Sequence, residues 1–289
     1  MAETQYLQML RETLETGESR NTRNGITYSK FFKTISFDLA DGFPLLTTKK
    51  MFWKGIVEEL LFFIRGETDT TILSEKGVRI WELNTRNSFL QENNLPYKEG
   101  DMGPMYGYQW RFFNKPYVSE SQSQVKQDTG VDQLKKVIHE IKTDPNSRRI
   151  IMTTFNPEQV DQGVLYPCHS IVIQFYVEKG RLSCSMYQRS CDIFLGCPFN
   201  IASTSLLLHI ISMLTNLEPG MVNMIFGDYH IYEEHKSAIT EQLNREPYSL
   251  CNISIKHFTT LEEVEASALD DYKLINYQSY PPIKALMIA

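Results

Sequence analysis

From Gly55 to Arg65 the chain reads Gly55-Ile56-Val57-Glu58-Glu59-Leu60-Leu61-Phe62-Phe63-Ile64-Arg65, nearly all of it apolar. A helix of that composition is too hydrophobic for a surface position and belongs inside a core. A chain of 289 residues can build such a core, as one large mixed domain or as two smaller ones. The run also carries two adjacent carboxylates. At least one of them points somewhere dry, where a raised pKa would suit proton transfer; the ordinary alternative, a solvated or ion-paired glutamate, fits Glu58 better than Glu59.

Charge and cysteine usage narrow the class. A net charge of −6 and a pI near 5.6 argue against nucleic acid as a general partner, since broad binding needs a basic surface to displace phosphate counterions. Any phosphate must be met by local arginines. Five cysteines, an odd number without CxxC spacing, suggest neither a disulfide framework nor a zinc site, so no metal is expected. No basic-then-apolar leader is read at the N-terminus, and no apolar run of the roughly 18 residues a membrane span needs. The expectation is a soluble protein of the cytoplasm, with the nucleus as the alternative.

Along the chain, Tyr6, Leu7, Leu10 and Leu14 have helical spacing up to Gly17, and Thr22-Arg23-Asn24-Gly25 is a turn that leaves Arg23 on a loop, solvated or forked around an anion. Phe31 to Leu39 alternates as a strand. Gly103 to Arg111 is rich in aromatics, which suit either a core or a flat heterocyclic ligand. Residues 114–130 read as a variable loop within one domain over 1–289. Val131, Leu134, Ile138 and Ile141 mark an amphipathic helix, after which Ser147 to Met152 starts a strand with Arg148 and Arg149 on opposite faces. Leu182 to Gln188 forms a hairpin with the strand Ile171 to Val177, and a further helix takes Ile201, Leu206, Leu207, Ile210 and Leu214. There is no internal repeat, P-loop, dinucleotide fingerprint or metal-ligand helix.

The chemistry centres on Leu165-Tyr166-Pro167-Cys168-His169. Proline biases its predecessor toward an extended conformation and gives no backbone donor, so Cys168 stands at a turn before an apolar strand. A thiol of ordinary pKa is only about 3% thiolate at neutral pH, so a nucleophilic Cys168 needs nearby cations or donors. His169 and Arg189 are the candidates. The plain alternative is a small buried hydrophobe.

Four motifs decide between them: Pro167-Cys168-His169; Gln188-Arg189-Ser190-Cys191-Asp192; Leu195-Gly196-Cys197-Pro198-Phe199-Asn200-Ile201-Ala202-Ser203; and Gly227-Asp228-Tyr229-His230-Ile231-Tyr232. In order and spacing they resemble the thymidylate synthase family, and the likeness runs from about residue 5 to the C-terminus. Phe43 to Lys49, Glu59-Leu60-Leu61, Ile64-Arg65-Gly66, Ile80-Trp81 and Asp101 to Gly107 agree with it.

The resemblance implies an α+β fold, with a large central mixed sheet packed against its symmetry mate in a homodimer, and methylation of dUMP by 5,10-methylenetetrahydrofolate. It implies that Cys168 attacks uracil C6 and that Glu59, Tyr106, His169 and Asn200 share in the catalysis. It assigns the phosphate to Arg23 and Arg189 together with Arg148 and Arg149 of the partner, and the rest of the nucleotide to Gln188, Ser190, Asp192, Asn200, His230 and Tyr232. It assigns folate to Lys49, Trp81, Asn84, Asp192, Leu195, Gly196 and Phe199, under a closing tail that ends at Ala289. The chain departs from the family pattern at Asn24, where threonine is usual, at Phe155 (tryptophan), at Tyr166 (a small residue or proline) and at Ala289 (valine or isoleucine). None of these is the nucleophile, the base reader or the folate acid.

Rival readings are a nucleotide hydroxymethylase of the same superfamily, a catalytically silent RNA-binding homologue, and an unrelated cysteine hydrolase. The last fits poorly, because His169 adjoins Cys168 directly and no third group is evident to orient it.

Overall fold

The computed structural model describes residues 2–118 and 130–288. Six strands form its central sheet: β1 (Glu18–Thr22), β2 (Gly25–Asp38), β3 (Ile151–Thr153), β4 (Val172–Glu178), β5 (Arg181–Asp192) and β6 (Glu218–Tyr232), in the order β1-β2-β6-β5-β4-β3. Every pairing is antiparallel except β5 with β6. Those two run parallel because the helix Gly196–Leu214 carries the chain back between them. A separate ladder joins β7 (Asn252–Ile255) to β8 (Tyr272–Ile275). The fold is α+β around a mixed sheet.

Alternation sends Ile35, Phe37, Phe175, Met186, Val222 and Met224 to one sheet face, where all are buried. The helix Gly196–Leu214 lies on β5 and β6, the N-terminal helix Ala2–Thr16 lies on β2, and Trp53–Arg65 packs against Gly196–Leu214. Ten consecutive residues of Trp53–Arg65, Gly55 to Ile64, are buried, as their composition requires. The opposite face is open. Strand register aligns Ile151, Gln174, Ser185, Asn223 and Ser36 in one row across it, and Thr153, Val172, Tyr187, Ile225 and Thr34 in the next. Tyr176 is 61% exposed there.

Four expectations need correction. Gly196–Leu214 is long and apolar enough to cross a membrane by length and composition, so an uncharged run of that size was overlooked; it is mostly buried and serves as the core helix over the sheet. It also starts at Gly196, not Ile201, because Pro198 is tolerated in a first turn that needs few amide donors. Gly227 to Tyr232, read above only as a motif, is the end of a long strand, β6, for which the sequence reading gives no element. Arg148 and Arg149 precede β3 in irregular chain and are both exposed, so strand alternation does not separate them. Of the expected variable loop, residues 119–129 lie outside the described residues. Its ends are pinned together by reciprocal backbone hydrogen bonds between Phe113 and Val131.

Candidate active site

Cys168 sits on the bend before β4, which Ser170 turns at φ 53°. The Tyr106 hydroxyl lies 3.4 Å from Sγ and accepts the Cys168 amide at 3.2 Å. With that acceptance made, the hydroxyl proton is free to point at sulfur. On the other side, Arg189 of β5 donates from Nε to the Pro167 carbonyl at 2.8 Å and from Nη2 to the Tyr166 carbonyl at 3.0 Å, while its amide donates to the Cys168 carbonyl at 2.9 Å. One turn thus fixes both the thiol and its cation. Burial pushes the thiol pKa up; the Tyr106 hydrogen bond and then the Arg189 charge pull it back.

His169 does not supply a cation. Its ring stacks on Tyr106 at 4.4 Å and 16°, and burial lowers its pKa to about 4, so the imidazole is neutral near pH 7. Tyr106 itself is held at φ 38°. A side chain on the next residue, Gly107, would meet the Phe63 backbone at 2.5 Å, and the Phe63 ring stacks on Tyr106 at 5.0 Å. A strained residue of this kind persists where its surroundings over-determine it.

The two glutamates separate as their setting dictates. Glu58 pairs with Lys76 at 2.6 Å. Among the described residues Glu59 accepts only from Trp81 Nε1, at 2.9 Å, and burial raises its pKa to about 7 against the pull of that hydrogen bond. Trp81 bridges the two sides of the site, since its ring lies 5.9 Å from that of Tyr106.

Around this centre several polar groups are aimed without partners. The Asn84 Nδ2 and Gln188 Oε1 atoms are buried and, among the described residues, unpaired. Asn200 is buried one turn into its helix, whose N-cap position is Leu195, and among the described residues its amide has no hydrogen-bond partner. Asp192 ends β5 and turns the chain toward the same helix, its Oδ1 accepting from the Phe194 and Leu195 amides at 2.9 and 3.2 Å, while among the described residues its Oδ2 takes no hydrogen bond. Lys49 donates to the Phe194 carbonyl, and burial lowers its pKa to about 8 while Asp192 pulls it up. His230 meets Asp228 at 2.8 Å and stands edge-on to Tyr232 at 5.4 Å. Burial raises the Tyr232 hydroxyl, against a hydrogen bond from Asn24 and the charge of Arg23, so the β1–β2 turn reaches this side of the site.

A family model described as thymidylate synthase matches residues 4–289. Thymidylate synthase 1/2 of Encephalitozoon cuniculi is 44% identical over 289 residues, which cover 99% of this chain and 97% of that protein. The chain belongs to the thymidylate synthase family. The thymidylate synthase of Equine herpesvirus 2 is 44% identical over 283 residues, covering 97% of this chain and 96% of its own length. The bifunctional dihydrofolate reductase-thymidylate synthase of Plasmodium chabaudi is 44% identical as well, but the chain spans only 49% of it.

Thymidylate synthase function, a methyl transfer, comes with that membership. Of the residues that the sequence reading singles out, Cys168, Tyr106, His169, Arg189, Glu59 and Trp81 form one contacting group. Arg148 and Arg149 stand apart from it: β3 pairs Ile151 with Gln174 and Thr153 with Val172, so these arginines lie toward the end of β4 away from Cys168. Ala289 lies outside the described residues. Sequence reasoning passed over His235, whose Nε2 bonds the Leu286 carbonyl of the C-terminal segment at 2.8 Å. It also passed over Glu3, and no local motif marks either residue.

Proposed function

We propose that this chain, as a single catalytic domain over 1–289, converts dUMP to dTMP with 5,10-methylenetetrahydrofolate as the donor of both carbon and hydride. The observation that carries the reading is the thiol of Cys168 held between the Tyr106 hydroxyl and the fixed Arg189 cation, with the protonatable Glu59 reached through Trp81. The Cys168 thiolate adds to uracil C6, and the electron pair released toward C5 makes that carbon the nucleophile for the one-carbon unit. C5 bonds the one-carbon unit, loss of the C5 proton expels the folate nitrogen from it, and hydride from the reduced folate completes the methyl group as the thiolate leaves C6, giving dTMP and dihydrofolate. Tyr106 and Arg189 stabilise the thiolate before addition and after release. Glu59, balanced near neutrality, suits the relay of protons through water, and the neutral His169 packs the Tyr106 ring.

The residues present suit both ligands. Arg23 and Arg189 carry no carboxylate partner among the described residues and would fork around the nucleotide phosphate. Gln188, Ser190, Asn200, His230 and Tyr232 would hold the base and sugar. The free Asp192 oxygen and the orphaned Asn84 amide would bind pterin edges, between the apolar Trp81, Leu195 and Phe199, with Gly196 leaving room and Lys49 at one side. Folate, consumed as cosubstrate, supplies the carbon and the hydride.

We also propose a homodimer. Its support is the open sheet face with Tyr176, 61% exposed, and the placement of Arg148 and Arg149 away from their own Cys168, where a partner's phosphate could use them. Five unpaired thiols suit the reducing cytoplasm.

Purified protein mixed with dUMP and methylenetetrahydrofolate tests the reading through dihydrofolate formation and product mass. Dihydrofolate with a methylated product is expected. A hydroxymethylated product without dihydrofolate would assign the rival hydroxymethylase activity instead.

A further inference from the structure

We infer that Glu3 and the Thr47–Thr48 segment form an anchor that positions Lys49 and the C-terminal tail over the folate side of the site, with Glu3 as a positioning residue. The inference rests on the folate reading given above. Glu3 lies on the first turn of the N-terminal helix and is only 2% exposed. Its Oε2 accepts from the Thr47 amide at 2.9 Å and hydroxyl at 2.6 Å; its Oε1 accepts from the Thr48 amide at 2.9 Å and hydroxyl at 2.6 Å.

An ionised carboxylate only accepts, so it sets the direction of every bond beyond it. Both threonine hydroxyls must donate inward, which frees each to accept from outside. Thr47 Oγ1 accepts the Tyr248 amide at 2.9 Å and Thr48 Oγ1 accepts Gln242 Nε2 at 2.8 Å. The carbonyls of the same two residues take the tail: Tyr280 donates its amide to the Thr47 carbonyl at 2.8 Å. Arg245 Nη1 donates to both the Thr48 carbonyl, at 2.7 Å, and the Pro281 carbonyl, at 2.9 Å. Lys49, the next residue, lies 3.7 Å above the Phe194 ring. A shift of this segment therefore moves Lys49 and the tail together.

Glutamine at position 3 has the same shape but the wrong polarity on one side. Its NH₂ would face an amide and a hydroxyl that both donate, and a hydroxyl that reversed would then oppose Tyr248 or Gln242. Buried donors left facing donors are costly, while the helix keeps its apolar contacts through Met9 and Leu10.

The test compares Glu3→Gln, Arg245→Met and Leu10→Ala with wild type. For each, KM for methylenetetrahydrofolate, KM for dUMP, melting temperature and the rate of carboxypeptidase trimming of the C-terminus are measured. Leu10→Ala loosens the same helix without touching the anchor. Glu3→Gln and Arg245→Met are expected to raise the folate KM by roughly tenfold or more and to speed trimming, with dUMP KM little changed. Leu10→Ala should lower the melting temperature and leave the folate KM near wild type. Should Glu3→Gln fail to fold, Arg245→Met alone carries the test. Folate KM values that track melting temperature across all three variants would overturn the inference. Wild type that forms no dihydrofolate would instead remove the folate reading, and unchanged trimming in Arg245→Met would then remove the anchor itself.

Discussion

The Tyr106 hydroxyl meets Cys168 at two atoms, accepting its amide at 3.2 Å and lying 3.4 Å from its sulfur. It is the largest of the influences that lower a thiol pKa otherwise raised by burial. Tyr106→Phe keeps the ring stack on His169 and removes only that oxygen. We predict that alkylation of Cys168 by iodoacetamide at pH 7 slows, and that kcat falls by roughly tenfold to a hundredfold, as expected for a lost hydrogen bond to a charged group. At a pH above the thiol pKa the two alkylation rates should converge. Equal rates at pH 7 would show that Tyr106 only packs.

Glu59 gives a stability signature. Its folded pKa of about 7 exceeds its ordinary 4.5, so between those values the native state binds more protons than the unfolded chain. Stability contributed by the protonated form is complete below pH 4.5 and is lost as pH rises through 7. The loss is at most about 3 kcal/mol. Glu59→Gln cannot ionise, so its unfolding free energy in denaturant should not show this decline from pH 5 to pH 8, although turnover collapses. A parallel decline in variant and wild type would place the titration elsewhere.

The placement of the Cys168 thiol beside Arg189 and the split of Glu58 from Glu59 were legible in the sequence because each is marked locally, by a proline, a strand or an apolar helix. The role given to His169 was not. Adjacency to Cys168 suggested a cation, whereas stacking and burial, which arise from Tyr106 and Phe63 far away in sequence, leave it neutral. The start of the helix at Gly196 was masked by Pro198, whose usual meaning as a breaker does not hold in a first turn. β6 was missed although Val222, Met224 and Phe226 alternate, and Glu3 carries no signal at all before Thr47 and Thr48 are brought to it.

Arg148 and Arg149 test the assembly. Mixed chains bearing Cys168→Ala and an Arg148→Ala, Arg149→Ala double substitution should recover activity if each arginine pair serves the partner, since one site of the heterodimer then carries both lesions and the other carries neither. Recovery should approach about half of wild-type activity per heterodimer, with one intact site in two, or about a quarter in an equal mixture where half the dimers are hybrids. Heterodimers shown to form yet inactive would remove the shared-site proposal.

Asn200 provides the test of base choice. A helix cap is excluded as its role, since it lies inside the helix with Leu195 at the N-cap position. It is buried, so an amide with no protein partner among the described residues must meet a ligand or water. One carbonyl oxygen and one NH₂ match uracil, whose N3–H donates and whose O4 accepts; cytosine reverses both. Each mismatched buried pair costs about 1–3 kcal/mol, roughly tenfold to more than a hundredfold in rate. Asn200→Asp, when protonated, offers cytosine N3 a donor and leaves its other oxygen to accept from the amino group. We therefore predict that Asn200→Asp lowers kcat/KM for dUMP far more than for dCMP, so that the ratio of the two shifts by at least tenfold toward dCMP. The comparison is made with both nucleotides on folded wild type and variant. An unchanged ratio would mean that Asn200 holds water or structure and that the base is chosen by other groups.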